Sequence, residues 1–219
     1  MKVKLVSYSK PTESFKKDGI IDAQELIAYC ARVSNPSNQM NTETSSKLIK
    51  YLINNAHWSP LEMVNACLEI ETTRDIARQI LRHRSFSFQE FSQRYANPVE
   101  DLDFVIRETR MQDSKNRQNS IEATDNELIE EWKEKQRQVI EISKNAYAWA
   151  IDKGIAKEQA RAVLPEGNTV SRLYMNGTIR SWIHYIQLRS ENGTQKEHAE
   201  IAFACAEVVN KIFPIGAEI

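Results

Sequence analysis

About eighteen consecutive apolar residues, the minimum for a helix that spans a bilayer, occur nowhere in the 219 residues of this chain. The N-terminal residues Met1 to Tyr8 carry two lysines and lack the apolar core of a secretory signal, so a cytoplasmic address is expected. Cysteine is scarce as well. Cys30, Cys67 and Cys205 are odd in number, scattered and set in apolar patterns, which suits buried thiols in a reducing compartment and argues against a disulfide framework. The six glycines form neither GxGxxG nor GxxxxGK[ST]. A nucleotide would therefore have to be held by side chains, without a glycine-rich backbone cradle. There is no GxSxG elbow, and with no HxxxH or CxxC pair no metal site is expected. The net charge of −1 argues against a nucleic-acid binder working through a broad basic face.

What charge there is, is unevenly placed. Residues 100–141 hold twelve Asp/Glu against seven Lys/Arg, whereas residues 161–189 hold four arginines (Arg161, Arg172, Arg180, Arg189) and one acid, Glu166. The second basic segment, 74–94, carries Arg74, Arg78, Arg82, His83, Arg84 and Arg94 against Asp75 and Glu90. The two segments are expected to meet in space. Residues 77–95 follow an apolar run (63–70) that reads as a buried strand, so their arginines are tied to a core, where they need anions. Arg82, Arg84 and Arg94 each offer a forked donor set to phosphate, and Ser92 adds a hydroxyl. The pattern points to a pocket for a phosphorylated small molecule. The competing reading is a surface cluster neutralised by acidic neighbours. His57, His83, His184 and His198 read as hydrogen-bonded histidines before they read as metal ligands.

The periodicities predict an α+β chain, a single domain over 1–219, helix-rich with a small, mostly antiparallel sheet. Residues 2–8 alternate as a strand. Asp22 with Glu25 forms a capping box for a helix to about 33, and a second helix covers about 43–55. A strand over 62–72 leads into a helix from about Thr73 that places Arg78, Gln79, Arg82 and His83 on one polar face. Phe104 to Ile106 is a short strand candidate, and 108–123 reads as an exposed, aperiodic loop. Thr124 with Glu127 caps a long helix ending at Gly154, with Leu128, Trp132, Val139, Ile142 and Ala146 or Tyr147 as its buried stripe. A helix over 157–164, a strand over 169–175, a turn at Asn176-Gly177 and a helix over 179–188 follow. Thr194 with Glu197 caps a last helix ending near Pro214.

Arg82-His83-Arg84, seven residues and then Ser92 reproduce the RHRx7S signature, and the chain resembles the flavin-dependent thymidylate synthases. Around the signature stand His57-x-Ser59-Pro60-x-Glu62, Ala77-Arg78-Gln79 and Arg94-Tyr95. Downstream come the ARxxLP-like Ala160 to Pro165, then Arg180-Ser181-Trp182 and Leu188-Arg189, all in family order over roughly 55–200. The resemblance implies a thymidylate synthase-complementing-like fold and conversion of dUMP to dTMP. Carbon would come from 5,10-methylenetetrahydrofolate and hydride from FAD reduced by NADPH. It further implies a homotetramer with shared sites; from charge and hydropathy, neither nucleic acid nor membrane is expected as a partner. Gln79, Arg82, Glu90, Ser92, Gln93, Arg94, Arg161 and Arg189 would bind dUMP. Ser59, Arg82, His83, Arg84, Glu90, Thr178, Arg180 and His184 would bind FAD; Thr178 and His184 stand where the family often has Asn. Arg189 and Ser92 are the catalytic candidates. Arg189 would favour ionisation of the uracil at N3 and so make C5 a better nucleophile. Ser92 has no evident base nearby and reads better as a phosphate ligand.

The chemistry of the residues agrees. Classical thymidylate synthases activate the uracil with a cysteine thiolate, and no cysteine here lies in the anion-binding stretches. Preorganised arginines in a dry site can polarise the ring instead. The alternative is a non-catalytic nucleotide- or RNA-binding protein using the same arginines. Spacing adds one point: Arg180 and Arg189, nine residues apart, face opposite ways on an unbroken helix. Either the helix ends before Arg189, or its two faces serve two pockets.

Overall fold

In chain order, the computed structural model, which describes residues 1–214, contains β1 (Lys2–Tyr8), α1 (Glu13–Lys17), α2 (Ala23–Ala31), α3 (Ser45–Asn54), β2 (Asn65–Thr73), α4 (Arg74–Ile80), β3 (Ser87–Glu90), α5 (Pro98–Asp101), β4 (Arg110–Gln112), β5 (Ser120–Glu122), α6 (Asn126–Asp152), α7 (Lys157–Ala160), β6 (Val170–Thr178), α8 (Ile179–Ser190) and α9 (Lys196–Asn210). The main sheet has the order β1-β2-β6-β3, antiparallel throughout, and β4 with β5 forms a separate two-stranded hairpin. Along β2, Ala66, Leu68, Ile70 and Thr72 are buried while Asn65, Cys67, Glu69 and Glu71 point the other way, the period of two that a one-sided sheet demands. The register sets Leu68 opposite Met175 and Ile70 opposite Leu173. Those side chains share one core with Ile27, Ile49, Ile76, Ile80, Trp182, Ile201 and Val209, so α2, α3, α4, α8 and α9 cover that face. The opposite face is polar, with Glu71 between Lys2 (3.3 Å) and Arg172 (3.0 Å), and Tyr174 donating to Glu69 (3.0 Å). Among the described residues no helix is long and apolar enough to cross a membrane.

Local signals that depend on neighbours in sequence are realised closely. The Asp22 side chain accepts from Glu25 N at 2.8 Å, and Glu25 reaches back to Ile21 N at 2.6 Å. Where tertiary contacts decide, the structure departs from the sequence reading. The helix after β2 ends at Ile80, so Arg82 and His83 lie in the following turn and share no helical face with Arg78 and Gln79. The chain turns there so that Phe86 can pack on Trp182 (ring centroids 4.8 Å) and β3 can pair with β6. Asn176 and Gly177 form no turn. They continue β6, opposite Cys67 and Ala66, and Gly177 is required because the Phe86 ring lies where a Cβ would project.

Residues 108–123 contain the β4–β5 hairpin, and Phe104 makes a single bridge to Thr169 in place of a strand. Asp125 rather than Thr124 caps α6, accepting from the Glu127 and Leu128 amides. Thr194 caps nothing; Gln195 precedes α9 without a side-chain cap. The segment 157–164 splits into α7 and a 3-10 turn, Arg161–Val163. The largest departure is in α6. Its buried residues are Gln136, Ile140, Ser143, Tyr147 and Ala150; Tyr147 is buried as expected, whereas Leu128, Trp132, Val139 and Ile142 of the expected stripe are 37–69% exposed, and so is Trp149.

Candidate functional site

The two basic segments do meet. Arg78 donates to Glu166 through Nε (2.6 Å) and Nη2 (3.1 Å), and Arg74 Nε reaches the same carboxylate at 3.3 Å. Hydrogen bonding from Arg78, aided by Arg74, holds the Glu166 carboxyl below its ordinary range. Arg74 also lies 3.6 Å from Glu90, whose Oε1 accepts from Ser171 at 2.7 Å. These contacts clip α4 to the loop before β6 and set Glu90 at the end of β3. Arg82 and Arg84 extend from the turn that follows, exposed, and no hydrogen bond or ion pair from either guanidinium exists among the described residues.

α8 is unbroken through Arg189, so its two flanks are distinct. On one, Arg180 pairs with Glu62, and His184 stacks edge-on against Trp58 at 4.4 Å. Ser59 opens the 3-10 turn carrying Glu62, and Thr178 caps α8 by accepting from Ser181 N at 3.2 Å. Burial, then the Arg180 charge, lowers the His184 pKa. On the other flank, Arg189 Nε donates to His83 Nε2 at 2.9 Å. Burial first, then Arg189 and Arg82, push the His83 pKa down to about 4. His83 is thus neutral near pH 7, with its proton on Nδ1 so that Nε2 can accept. Arg189 consequently has an uncharged partner, and no carboxylate among the described residues offsets its charge. Tyr185 stacks edge-on against His83 at 4.9 Å.

A third group follows β3. Phe91 N extends the ladder to Arg172 O (2.8 Å), Ser92 Oγ accepts from Arg94 N (3.4 Å), and Arg94 pairs with Glu158 of α7 at 3.3 Å. Lys157 holds the Tyr95 carbonyl at 2.8 Å. Arg161 stands one turn beyond Glu158, half-buried. Gln93 is 3% exposed and its amide nitrogen has no partner, which leaves a donor unspent beside Ser92.

Gln79 leads to residues that sequence reasoning passed over. Its Nε2 donates to Gln195 Oε1 (2.8 Å) and its Oε1 lies 3.2 Å from His198 Nδ1. Glu197, read as a cap, instead pairs with Arg107 (3.3 Å) and Arg110 (3.4 Å). The available signal was a histidine and a glutamate entering the apolar pattern of α9. A cleft of about 570 Å³ opens beside them, lined by Asp75, Arg107, Arg110, Trp132, Gln195 and Glu197 among others. None of the predicted site residues borders it. Among the described residues no group of three or more His, Cys, Asp or Glu could hold a metal ion. Cys205 is buried, Cys30 and Cys67 are half-buried, and burial raises all three thiol pKa values, so none provides a thiolate.

A family profile described as "Thymidylate synthase complementing protein" matches residues 19–215. A probable flavin-dependent thymidylate synthase of Paramecium bursaria Chlorella virus 1 is 50% identical over 214 residues, 98% of this chain and 96% of the relative. A flavin-dependent thymidylate synthase of Synechocystis sp. is 50% identical over 217 residues, 99% of this chain and 98% of the relative. Among solved structures, the UMP/dUMP methylase PolB of Streptomyces cacaoi, bound with 5-Br dUMP, superposes with a TM-score of 0.82 at 25% identity. That match covers 99% of this chain and 93% of that one.

Proposed function

This chain belongs to the flavin-dependent thymidylate synthase family, and from that premise we propose how its residues divide the work. The enzyme converts dUMP to dTMP and depends on FAD. Its uracil is polarised by Arg189, and the observation that carries this is the pairing of Arg189 with the neutral imidazole of His83. A carboxylate partner would quench the positive field, whereas an imidazole held neutral only orients the guanidinium. The remaining donors of Arg189 then favour negative charge at N3 and the adjacent oxygens, which enriches C5. No thiolate is needed, in keeping with three raised cysteine pKa values.

Gln79, Arg82, Glu90, Ser92, Gln93, Arg94 and Arg161 join Arg189 around dUMP. The phosphate falls to Arg94, Gln79, Ser92 and Arg161. The FAD assignment fits the donor set at the signature turn: a diphosphate is held well by forked cations, and Arg82 and Arg84 carry no ion pair among the described residues, whereas Arg74 and Arg78 are already paired. Ser59, His83, Glu90, Thr178, Arg180 and His184 complete the cofactor contacts. Bound FAD, reduced by NADPH, supplies the hydride, and 5,10-methylenetetrahydrofolate supplies the carbon.

The working unit of this reading is a homotetramer with shared sites. Two observations support it. The cofactor candidates stand on both flanks of α8, so one pocket drawing on both sets takes them from two chains. The five large exposed apolar residues of α6 follow a spacing of four, seven, three and seven, the seam of a helix that packs against another helix. Purified protein should be yellow, lose flavin absorbance on addition of NADPH and release tritium from C5 of labelled dUMP only when folate is present. A colourless protein that cannot be reconstituted with FAD refutes the reading. Inactive Arg82→Ala and Arg189→Ala protomers, mixed into verified hetero-tetramers, should regain activity; no recovery refutes shared sites.

A further inference from the structure

On the reading above Gln79 meets the dUMP phosphate, and a glutamine serves there only if its amide nitrogen and oxygen are not exchanged. A flipped amide turns a lone pair toward an anion. Two residues of α9 and its entry hold both ends. Their roles follow from a chain of assignments that begins at a carboxylate. Glu197 Oε2 can only accept, so the Gln195 Nε2 that lies 3.0 Å away donates to it. Gln195 Oε1 is then the acceptor for Gln79 Nε2 at 2.8 Å, and Gln79 Oε1 is left to accept from His198 Nδ1 at 3.2 Å. The anchor itself is fixed, since Glu197 is paired to Arg107 and Arg110.

His198 is out of place in packing terms. It is fully buried on a helix face otherwise lined by Ile201, Ala202, Cys205 and Val209, and its Nε2 has no partner. A leucine would fill that position without stranding a ring nitrogen. The burial is explained by what Nδ1 does. We infer that His198, with Gln195, is a positioning residue: it locks the Gln79 amide so that the second N–H, free of any protein acceptor, is available to a phosphate oxygen of dUMP.

The test compares dUMP affinity by isothermal titration for the FAD-loaded wild type and for His198→Leu, His198→Asn, Gln79→Ala and His198→Leu/Gln79→Ala. Thermal melts and flavin content are measured alongside. His198→Leu should weaken dUMP about tenfold, the order expected for one lost hydrogen bond, and raise KM with kcat at saturating dUMP preserved. His198→Asn, whose amide N–H can stand in for Nδ1–H, should recover affinity to within about threefold even if its melting temperature remains low. The double variant should bind no more weakly than Gln79→Ala alone. If His198→Leu does not fold, Gln195→Leu carries the same expectation from the other end of the amide. Unchanged affinity in His198→Leu, or an equal loss in both backgrounds, overturns the inference while leaving Gln79 in the pocket. Unchanged affinity in Gln79→Ala removes Gln79 from the pocket and overturns the underlying reading instead.

Discussion

Replacing Gly177 by alanine probes how the signature turn is seated on the sheet. A Cβ at this position falls 2.4 Å from Cδ1, 2.6 Å from Cε1 and 3.2 Å from Cγ of Phe86. Carbon atoms pack at about 3.5–4.0 Å, so the ring must retreat by about 1 Å. Spinning the ring about its own axis gives no relief, because Cγ lies on that axis and is itself too close. Retreat is opposed by Trp182 and Tyr185, with ring centroids 4.8 and 6.0 Å from that of Phe86. Overpacking of this kind costs about 1–3 kcal/mol, and losing glycine's freedom in the unfolded chain returns about 0.4–1 kcal/mol. The net loss is about 1–2 kcal/mol, which for a chain of this size lowers the melting temperature by roughly 2–8 °C. Calorimetry at fixed FAD and protein concentration measures it. Phe86→Leu, introduced into Gly177→Ala, should recover part of the loss because the shorter side chain vacates the contested volume. A melting temperature equal to wild type, or strictly additive effects in the double variant, would falsify the steric argument.

Three further outcomes follow from the same geometry. Arg189→Ala removes the second cause of the depressed His83 pKa, so NMR titration should find it above about 4 yet still below 6.5, since burial persists; an unchanged value breaks the assigned contact. His198, held at about 3 by burial and by the Arg189 and His83 charges, is neutral in the fold but protonates near 6.5 when unfolded. Stability should therefore fall as pH drops from about 6.5 toward 3, and His198→Leu should flatten that slope in denaturant titrations; an identical slope contradicts it. Ile142→Glu combined with Trp149→Glu on α6 should shift the assembly toward smaller species in sedimentation while leaving helix content intact. Retention of the wild-type assembly rules out that face as an interface.

How much could be read in the sequence depended on the range of the interactions. Asp22 and Glu25 announce their helix because the cap is made within four residues. β3 announced nothing: Ser87-Phe88-Gln89-Glu90 is too short and polar for a periodic signal, and exists because β6 offers an edge to pair with. Of the expected α6 stripe Tyr147 alone is buried, and the other four residues face outward. Hydrophobic period reports that Trp132, Val139 and Ile142 want burial, but not whether the covering surface belongs to the same chain. At the site, the order of basic and hydroxyl residues pointed to a phosphate pocket, because forked cations in a local cluster need anions. Gln195, His198 and the Arg107–Glu197 pair stayed hidden, since their contacts to Gln79 and Asp75 bridge more than thirty residues and leave no spacing to detect.

Glu166 has a consequence for turnover. Product and substrate differ by one methyl group, so every contact that grips the dUMP phosphate grips the dTMP phosphate equally, and residence time rises for both. A segment with all its guanidiniums free would bind substrate tightly and then hold on to product. On the proposed arrangement Glu166, a built-in counterion for Arg78 and, together with Glu90, for Arg74, limits the number of charges that a departing nucleotide must leave behind.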